Sequence, residues 1–163
     1  MAIAKIEITC TSCGCTFTHR KECRNRREAD SYEAWASTHI SECPSCARDR
    51  RKTEASRKLA DKLSELGRIL PMIEGVSDKQ IAYAETVREQ YLADRLNDVT
   101  RYHKGMQRLQ NPDAMAATIS ACEEAGLSLE EGIAHDLKKI GLYGVHIALT
   151  SASARDILDN LAR

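Results

Sequence analysis

Hydrophobic and polar residues alternate at the start of the chain and follow a helical period further on. Residues 3–9 alternate, with Ile6 and Ile8 on one face, which predicts a short strand, and residues 16–18 are its predicted hairpin partner. Over residues 22–38, Tyr32, Trp35 and Ala36 recur at helical spacing. This spacing predicts a first helix with Trp35 as its buried apolar anchor.

The remaining pattern predicts mainly helices. A second helix over residues 46–66 carries a leucine stripe and ends at Gly67. After a loop over residues 68–76, Ser77 and Gln80 have the spacing of a capping box and open a long helix to about residue 109. Shorter helices are predicted over residues 113–125 and 128–140, and from Ser151 or Ser153 to Leu161. Residues 141–149 are apolar with two glycines and predict a loop or a short strand.

Two Cys-x-x-Cys pairs provide the clearest chemical signal. Cys10 and Cys13 form the first pair and Cys43 and Cys46 the second, and this spacing suits four thiolates around one structural Zn²⁺. Gly14 follows the first pair and gives the backbone freedom that a tight knuckle needs. A sphere of four protein ligands leaves no open position for water or substrate, so the pattern favours a structural metal over a catalytic one.

Other residues near these pairs leave the ligand choice partly open. Cys15 offers a second donor close to Cys13, although the standard spacing favours Cys13. Cys15 and Cys23 are otherwise interpreted as small buried hydrophobic residues, and His19 as an ordinary histidine. A substitute ligand or a second metal is the alternative interpretation.

These patterns together predict a fold class and a domain organisation. We expect a mainly α protein with a small N-terminal zinc finger, treble-clef or zinc-ribbon-like with a short β-hairpin plus a helix, followed by a helical bundle. The predicted domains are a four-cysteine zinc-finger module with a basic helix over residues 1–58, long helices linked by a Pro/Gly loop over residues 59–110, and a small helical unit over residues 111–163.

The cysteines and the start of the sequence predict the compartment in which the protein is found. The chain has 163 residues and seven cysteines, and its start alternates apolar and charged residues, unlike a signal peptide. We therefore expect a reduced, cytoplasmic protein, in the host-cell cytoplasm if a phage encodes it. No apolar stretch approaches the roughly 20 residues that span a bilayer, so no membrane role is expected.

The net charge of zero conceals a division along the chain. Residues 1–58 contain twelve Lys and Arg against eight Asp and Glu, and residues 59–163 contain twelve against sixteen. The cations of the finger form two runs that are suited to phosphate contact, and a solvated face of salt bridges is the alternative. The candidate contact residues are Arg20, Lys21, Arg24, Arg26, Arg27, Arg48, Arg50, Arg51 and Lys52.

No motif supports catalysis. The sequence has no glycine-rich phosphate loop, no Gly-x-Ser-x-Gly elbow and no paired carboxylates in a recognisable context. Cys122 lies beside Glu123 and Glu124, which disfavour a thiolate. His103, His135 and His146 are scattered and are interpreted as ordinary. We expect a protein that is not an enzyme.

Three phrases resemble a set of small zinc-finger proteins carried by gut Firmicutes and their phages and plasmids. The first is the opening Cys-x-x-Cys, the second runs over residues 23–36 and continues to the Cys-Pro-Ser-Cys of residues 43–46, and the third covers residues 77–88. The resemblance covers roughly residues 6–95, with minor departures at Tyr83 and Val87. It implies a metal site and a mobile-element origin and supplies no mechanism.

The leading hypothesis is a non-enzymatic, zinc-stabilised binding protein of a phage or mobile element. Its expected partner is DNA, RNA or a host or CRISPR-type nucleoprotein complex, and inhibition of a CRISPR nuclease (an anti-CRISPR role) is the most specific form. The alternative is a structural or assembly protein that forms homo-oligomers through its helices, with the finger stabilising the fold. Ala116, Ala117 and Ala121 would contribute to that interface.

Overall fold

The structure is a computed structural model that describes residues 1–162, so the final position of the predicted third domain, Arg163, lies outside it. It confirms a mainly helical chain that begins with a two-stranded hairpin. Two compact units are present, Met1–Glu54 and a second that begins at Ala55. We call them the finger unit and the helical unit. The boundary lies four residues before the predicted end of the finger, and the predicted boundary at residue 110 falls inside the helical unit.

The finger unit places a helix on one face of an antiparallel hairpin. Strands β1 (Ala2–Thr9) and β2 (Thr16–Cys23) pair along their whole length, from Ala2 opposite Cys23 to Thr9 opposite Thr16. Helix α1 (Arg26–His39) begins after Asn25, whose side chain accepts a hydrogen bond from the Glu28 amide. Because Ala4 and Ala29 are small and buried, the helix lies close to the hairpin.

Helix α2 (Pro44–Glu65) begins in the finger unit and ends in the helical unit. Six further helices make up the rest of the helical unit within the described residues. They are α3 (Asp78–Ala93), α4 (Leu96–Arg108), α5 (Pro112–Glu124), α6 (Leu129–Lys139), α7 (Tyr143–Thr150) and α8 (Ala154–Leu161).

One core stabilises the helical unit. Leu59 and Leu63 of α2 contribute to it, as do Leu92, Val99 and Ile157 from three other helices.

Two predicted caps are confirmed, the complete Ser128–Glu131 capping box of α6 and Ser153 at the start of α8. Ser77 caps α3, while the Gln80 side chain accepts a hydrogen bond from the Val76 amide. No helix within residues 1–162 has the length and apolar character needed to cross a bilayer.

The prediction of one long helix over residues 77–109 is wrong. The chain leaves the helix at Asp94 and Arg95, and α4 begins at Leu96. A straight helix of that length would extend about 50 Å, which would carry its far end away from the core. The break instead allows Val99 to enter the same core as Leu92.

The prediction of a loop or strand over residues 141–149 is also wrong, because Tyr143–Thr150 is helical. Short apolar runs are ambiguous between strand and buried helix. Gly141 adopts φ +75° after α6 and so ends that helix. Gly144 lies inside α7 where the Tyr91 hydroxyl leaves no space for a β-carbon. The two glycines therefore mark a helix end and a close contact.

Candidate metal centre

The two cysteine pairs lie in the turn of the hairpin and at the start of α2. Cys10 and Cys13 lie in the turn between β1 and β2, which the Gly14 amide closes with a 2.9 Å hydrogen bond to the Cys10 carbonyl. Gly14 adopts φ +72°, a conformation that favours glycine. Cys43 directly precedes α2 and Cys46 lies in its first turn. Each pair is therefore held by regular local structure.

Backbone and side-chain hydrogen bonds join the turn of the hairpin to the segment that precedes α2. The Thr11 amide donates to the Ser41 carbonyl at 2.8 Å, and the Thr11 hydroxyl donates to the same oxygen at 3.2 Å. The Sγ atoms of Cys10, Cys13, Cys43 and Cys46 all lie within 4.8 Å of one another, and those of Cys13 and Cys43 are 3.8 Å apart. A tetrahedral zinc site with Zn–S bonds of about 2.3 Å has S···S edges of about 3.8 Å. The four sulfurs therefore fit one Zn²⁺.

Backbone amides favour the thiolate form of two of these cysteines. The Cys43 amide donates to Cys10 Sγ at 3.3 Å, and the Cys46 amide donates to Cys43 Sγ at 3.4 Å. The first hydrogen bond is the main reason that the pKa of Cys10 is lowered to about 6. The second is the main reason that the pKa of Cys43 is lowered. N–H donors thus prepare two sulfurs to act as ligands.

The close approach of the four sulfurs opposes ionisation of the Cys46 thiol. The pKa of Cys46 is raised, chiefly because its thiol hydrogen-bonds Cys13, and secondarily because it hydrogen-bonds Cys43. Four negative charges at this separation repel one another unless a cation lies between them. A divalent ion compensates this repulsion when it binds, and thiolates are ligands that Zn²⁺ accepts in structural sites.

The other candidate ligands, Cys15, Cys23 and His19, lie in different surroundings. Cys15 is exposed, so its interpretation as a buried hydrophobic residue is wrong. Its Sγ lies 3.2 Å from Cys13 Sγ, and this hydrogen bond is the first cause of a Cys15 pKa raised to about 12. Cys23 is buried in one cluster with Ala4 and Ala29, as predicted. His19 Nε2 hydrogen-bonds the Tyr32 hydroxyl at 2.8 Å.

The predicted contact cations are all exposed, but they do not form one surface. Arg20 and Lys21 are consecutive in β2 and so point to opposite faces of the hairpin. Arg26 forms an ion pair with Asp30 at 2.9 Å. Arg50 lies between two carboxylates, 2.9 Å from Glu42 and 4.0 Å from Glu54, and the first of these raises its pKa.

Other cations of the finger unit are available for contact. Within residues 1–162, no carboxylate lies within ion-pair distance of Lys21, Arg24, Arg27, Arg48 or Lys52. Arg48, Arg51 and Lys52 occupy positions i, i+3 and i+4 of α2 and therefore share one face of the helix. The structure thus separates the predicted set into paired and unpaired cations.

Sequence reasoning missed an aromatic feature beside these cations. Trp35 was predicted to be buried, but 47% of its surface is exposed, so that prediction is wrong. The core between α1 and the hairpin is already formed by Ala4, Cys23 and Ala29. Trp35 lies instead in a row of rings along α1, between Tyr32 at 5.4 Å and His39 at 4.9 Å between ring centroids. The spacing of residues 32, 35 and 39 was the available signal.

The hairpin, the following helices and the four clustered sulfurs define a small zinc-finger-type metal centre at the start of a helical protein. Neither the known protein families, nor the curated proteins, nor the solved structures include a match to this chain.

Proposed function

We propose that this protein is a non-enzymatic binding protein whose zinc-stabilised finger contacts nucleic acid or a complex that processes nucleic acid. The observation that carries the proposal is the set of finger-unit cations that form no ion pair within residues 1–162, above all Arg48 and Lys52; Arg51 shares their face of α2 and donates a hydrogen bond to the Ala47 carbonyl. Cations that share one helix face can neutralise neighbouring phosphates of a nucleic-acid backbone.

The metal centre supports the same proposal because it fixes the start of α2. Cys43 and Cys46 lie at the first turn of this helix, and Arg48 follows two residues later. A Zn²⁺ bound by four cysteines would therefore hold the basic face in a constant position relative to α1 and the hairpin. Four protein ligands leave no coordination position for water, which suits a binding role better than a catalytic one.

The test measures how salt changes binding of labelled DNA and RNA to the zinc-loaded full chain. We expect affinity to fall steeply between about 50 and 200 mM salt, because phosphate contacts release counterions. Replacing Arg48 and Lys52 together by Glu should remove most of this binding. A matched control reverses the same amount of charge in the helical unit, with Lys79→Glu and Arg155→Glu, and should change binding little.

Two results would overturn the proposal for nucleic acid. One is the absence of salt-dependent retention by the metal-loaded protein on any nucleic acid. The other is an equal loss of binding in the Arg48→Glu/Lys52→Glu variant and in the control variant, which would show that net charge and not the face of α2 matters. Circular dichroism and zinc content must be unchanged in both variants.

A narrower form of the proposal is inhibition of a CRISPR nuclease by a protein of a phage or mobile element. Its support is the resemblance of residues 6–95 described above. The test adds excess zinc-loaded protein to purified CRISPR nuclease complexes and measures target cleavage. Loss of cleavage together with co-purification is the expected result, and normal cleavage across effector types would end this form of the proposal.

A second candidate function is self-assembly through the helical unit. Helix α5 exposes Ile119 on one side and the small residues Ala117 and Ala121, four positions apart, on another; Leu127 before α6 and Ile140 just after it are exposed as well. Exposed apolar side chains of this kind can contribute to protein contacts. Light scattering after size exclusion tests this candidate: an oligomer that Ala117→Glu converts to a monomer supports it, and a monomer at all concentrations removes it.

A further inference from the structure

A row of four aromatic rings runs from β2 along α1 in the finger unit. The centroids of His19 and Tyr32 are 5.9 Å apart, and Trp35 and His39 continue the row. The Trp35 and His39 rings are nearly parallel, at 12°. Trp35 is the single tryptophan of the chain and is about half exposed. Large aromatic surface is costly to leave in water, so this exposure requires an explanation.

An open groove of about 550 Å³ lies beside this row. Tyr32 and Trp35 line it together with Arg27 and Ser31, which lie two turns and one turn before Trp35 on the same face of α1, and Lys21 comes from β2. The volume is within the range of clefts that hold small organic groups. The groove therefore has room for a flat ring against an aromatic wall.

The charges around the groove favour an anionic occupant. The Lys21 ammonium lies 4.1 Å from the centre of the Tyr32 ring, and Arg27 has no carboxylate partner within residues 1–162. Glu28 also lines the groove, but its carboxylate accepts a hydrogen bond from the Arg24 amide at 2.9 Å. Two cations thus border the groove against one carboxylate that is engaged by the backbone.

We propose that this groove binds the unpaired bases of single-stranded nucleic acid, with the adjoining phosphates at Lys21 and Arg27. The inference rests on the proposed function, since it specifies which form of nucleic acid the finger contacts. A flat, apolar ring joined to a phosphate combines the two chemistries that the groove offers, stacking and positive charge. Bases inside a duplex are stacked on one another and cannot present their faces to the ring row.

The fluorescence of Trp35 provides a direct test, because no other tryptophan contributes. The zinc-loaded full chain is titrated with oligothymidylate, oligouridylate, a mixed-sequence duplex and heparin. We expect both single strands to quench Trp35, while heparin, which has charge but no bases, binds without quenching. A difference between the two single strands would identify DNA or RNA as the preferred partner.

Variants then separate stacking from charge. Trp35→Ala should weaken single-strand binding by roughly tenfold, the effect of losing one stacked base, and should leave binding of duplex and heparin unchanged. The matched control is Tyr83→Ala, since Tyr83 is similarly exposed but lies in the helical unit. Tyr32→Phe keeps the ring and should retain single-strand binding. Zinc content and circular dichroism confirm that each variant is folded.

The possible failures are distinguishable. Salt-dependent binding without quenching of Trp35, or equal affinity of the Trp35→Ala variant and the parent for single strands, overturns this inference and leaves the proposed function standing. Absence of binding to single strands, duplex and heparin alike overturns both this inference and the proposal that the finger contacts nucleic acid. Binding to heparin and duplex only shows that the cations act without the rings, and it also overturns the inference.

Discussion

The two units of this protein are stabilised in different ways. In the finger unit the apolar cluster consists of Ala4, Cys23 and Ala29, with Ala2 and Tyr32 packed against it. Over residues 55–162, the core of the helical unit contains fifteen buried residues, among them Tyr102 and Ile157. Small domains with little apolar burial commonly need a metal or disulfides. We therefore expect the finger unit to depend on a bound metal and the helical unit to depend on its packed core.

Metal removal should separate the two units most strongly. A bound structural zinc contributes about 10–16 kcal/mol to folding, so a strong chelator or Cys43→Ser should unfold the finger unit and leave the helical unit folded. Thiol alkylation followed by mass spectrometry reports both units at once. We expect Cys23 to become reactive while the buried Cys122 of the helical unit stays protected. Protection of both cysteines in the metal-free chain would contradict the comparison.

Acidification should also release the metal, because a protonated thiol does not bind Zn²⁺. The pKa of Cys10 lies at about 6, below the ordinary thiol value of 9.0, so its contribution to the finger is complete above pH 9 and is lost as the pH falls through about 6. Protons then compete with Zn²⁺ for the sulfurs. Equilibrium dialysis should show that zinc is released as the pH is lowered, and retention of stoichiometric zinc in strong acid would contradict the assignment.

The helical unit responds to the same acidification through a different group. Burial lowers the pKa of His146, whose ring nitrogen hydrogen-bonds the Tyr102 hydroxyl at 2.9 Å. The folded state therefore binds fewer protons at His146 than the unfolded chain, and this contribution is lost as the pH falls below 6.5. We expect a gradual loss of stability in this unit, in contrast to the cooperative loss of the finger, when helicity is followed by circular dichroism.

A core substitution should destabilise the helical unit and leave the finger unit unchanged, whereas metal removal should do the reverse. Ile157→Ala removes a fully buried side chain of α8 and should lower the free energy of unfolding of the helical unit by about 2–5 kcal/mol. Urea unfolding followed by circular dichroism gives this value. Zinc content and Trp35 fluorescence in the native protein serve as the control and should not change. A loss of zinc in this variant would show that the finger needs the core.

The smallest expected effect concerns one helix end. Ser128→Ala removes both hydrogen bonds that the Ser128 hydroxyl makes with Glu131, and should destabilise the helical unit by about 1 kcal/mol. The matched control is Ser120→Ala, an exposed serine within α5, which should have nearly no effect. Urea unfolding of both variants compares them. Equal stability of the two would show that α6 does not depend on its capping box.

Local signals predicted most of the secondary structure and the candidate ligands. The spacing of the Cys-x-x-Cys pairs, the glycine after the first pair and the Ser128 capping box each act within a few residues, so the sequence carries them directly. The four cysteines expected to share one metal do lie together. The alternation of β1 and the helical periods of α1 and α2 were visible for the same reason.

The tertiary structure decided what depends on distant neighbours. No proline or glycine marks the break between α3 and α4 at Asp94. The break allows side chains of both helices to enter one core. Trp35 is exposed because alanines from β1 and α1 already fill the interior of the finger. Charge pairing also needs the fold, since Glu42 reaches Arg50 across eight residues while Arg48 has no carboxylate within ion-pair distance in the described chain. Short-range chemistry is encoded locally, but burial and pairing are properties of the packed molecule.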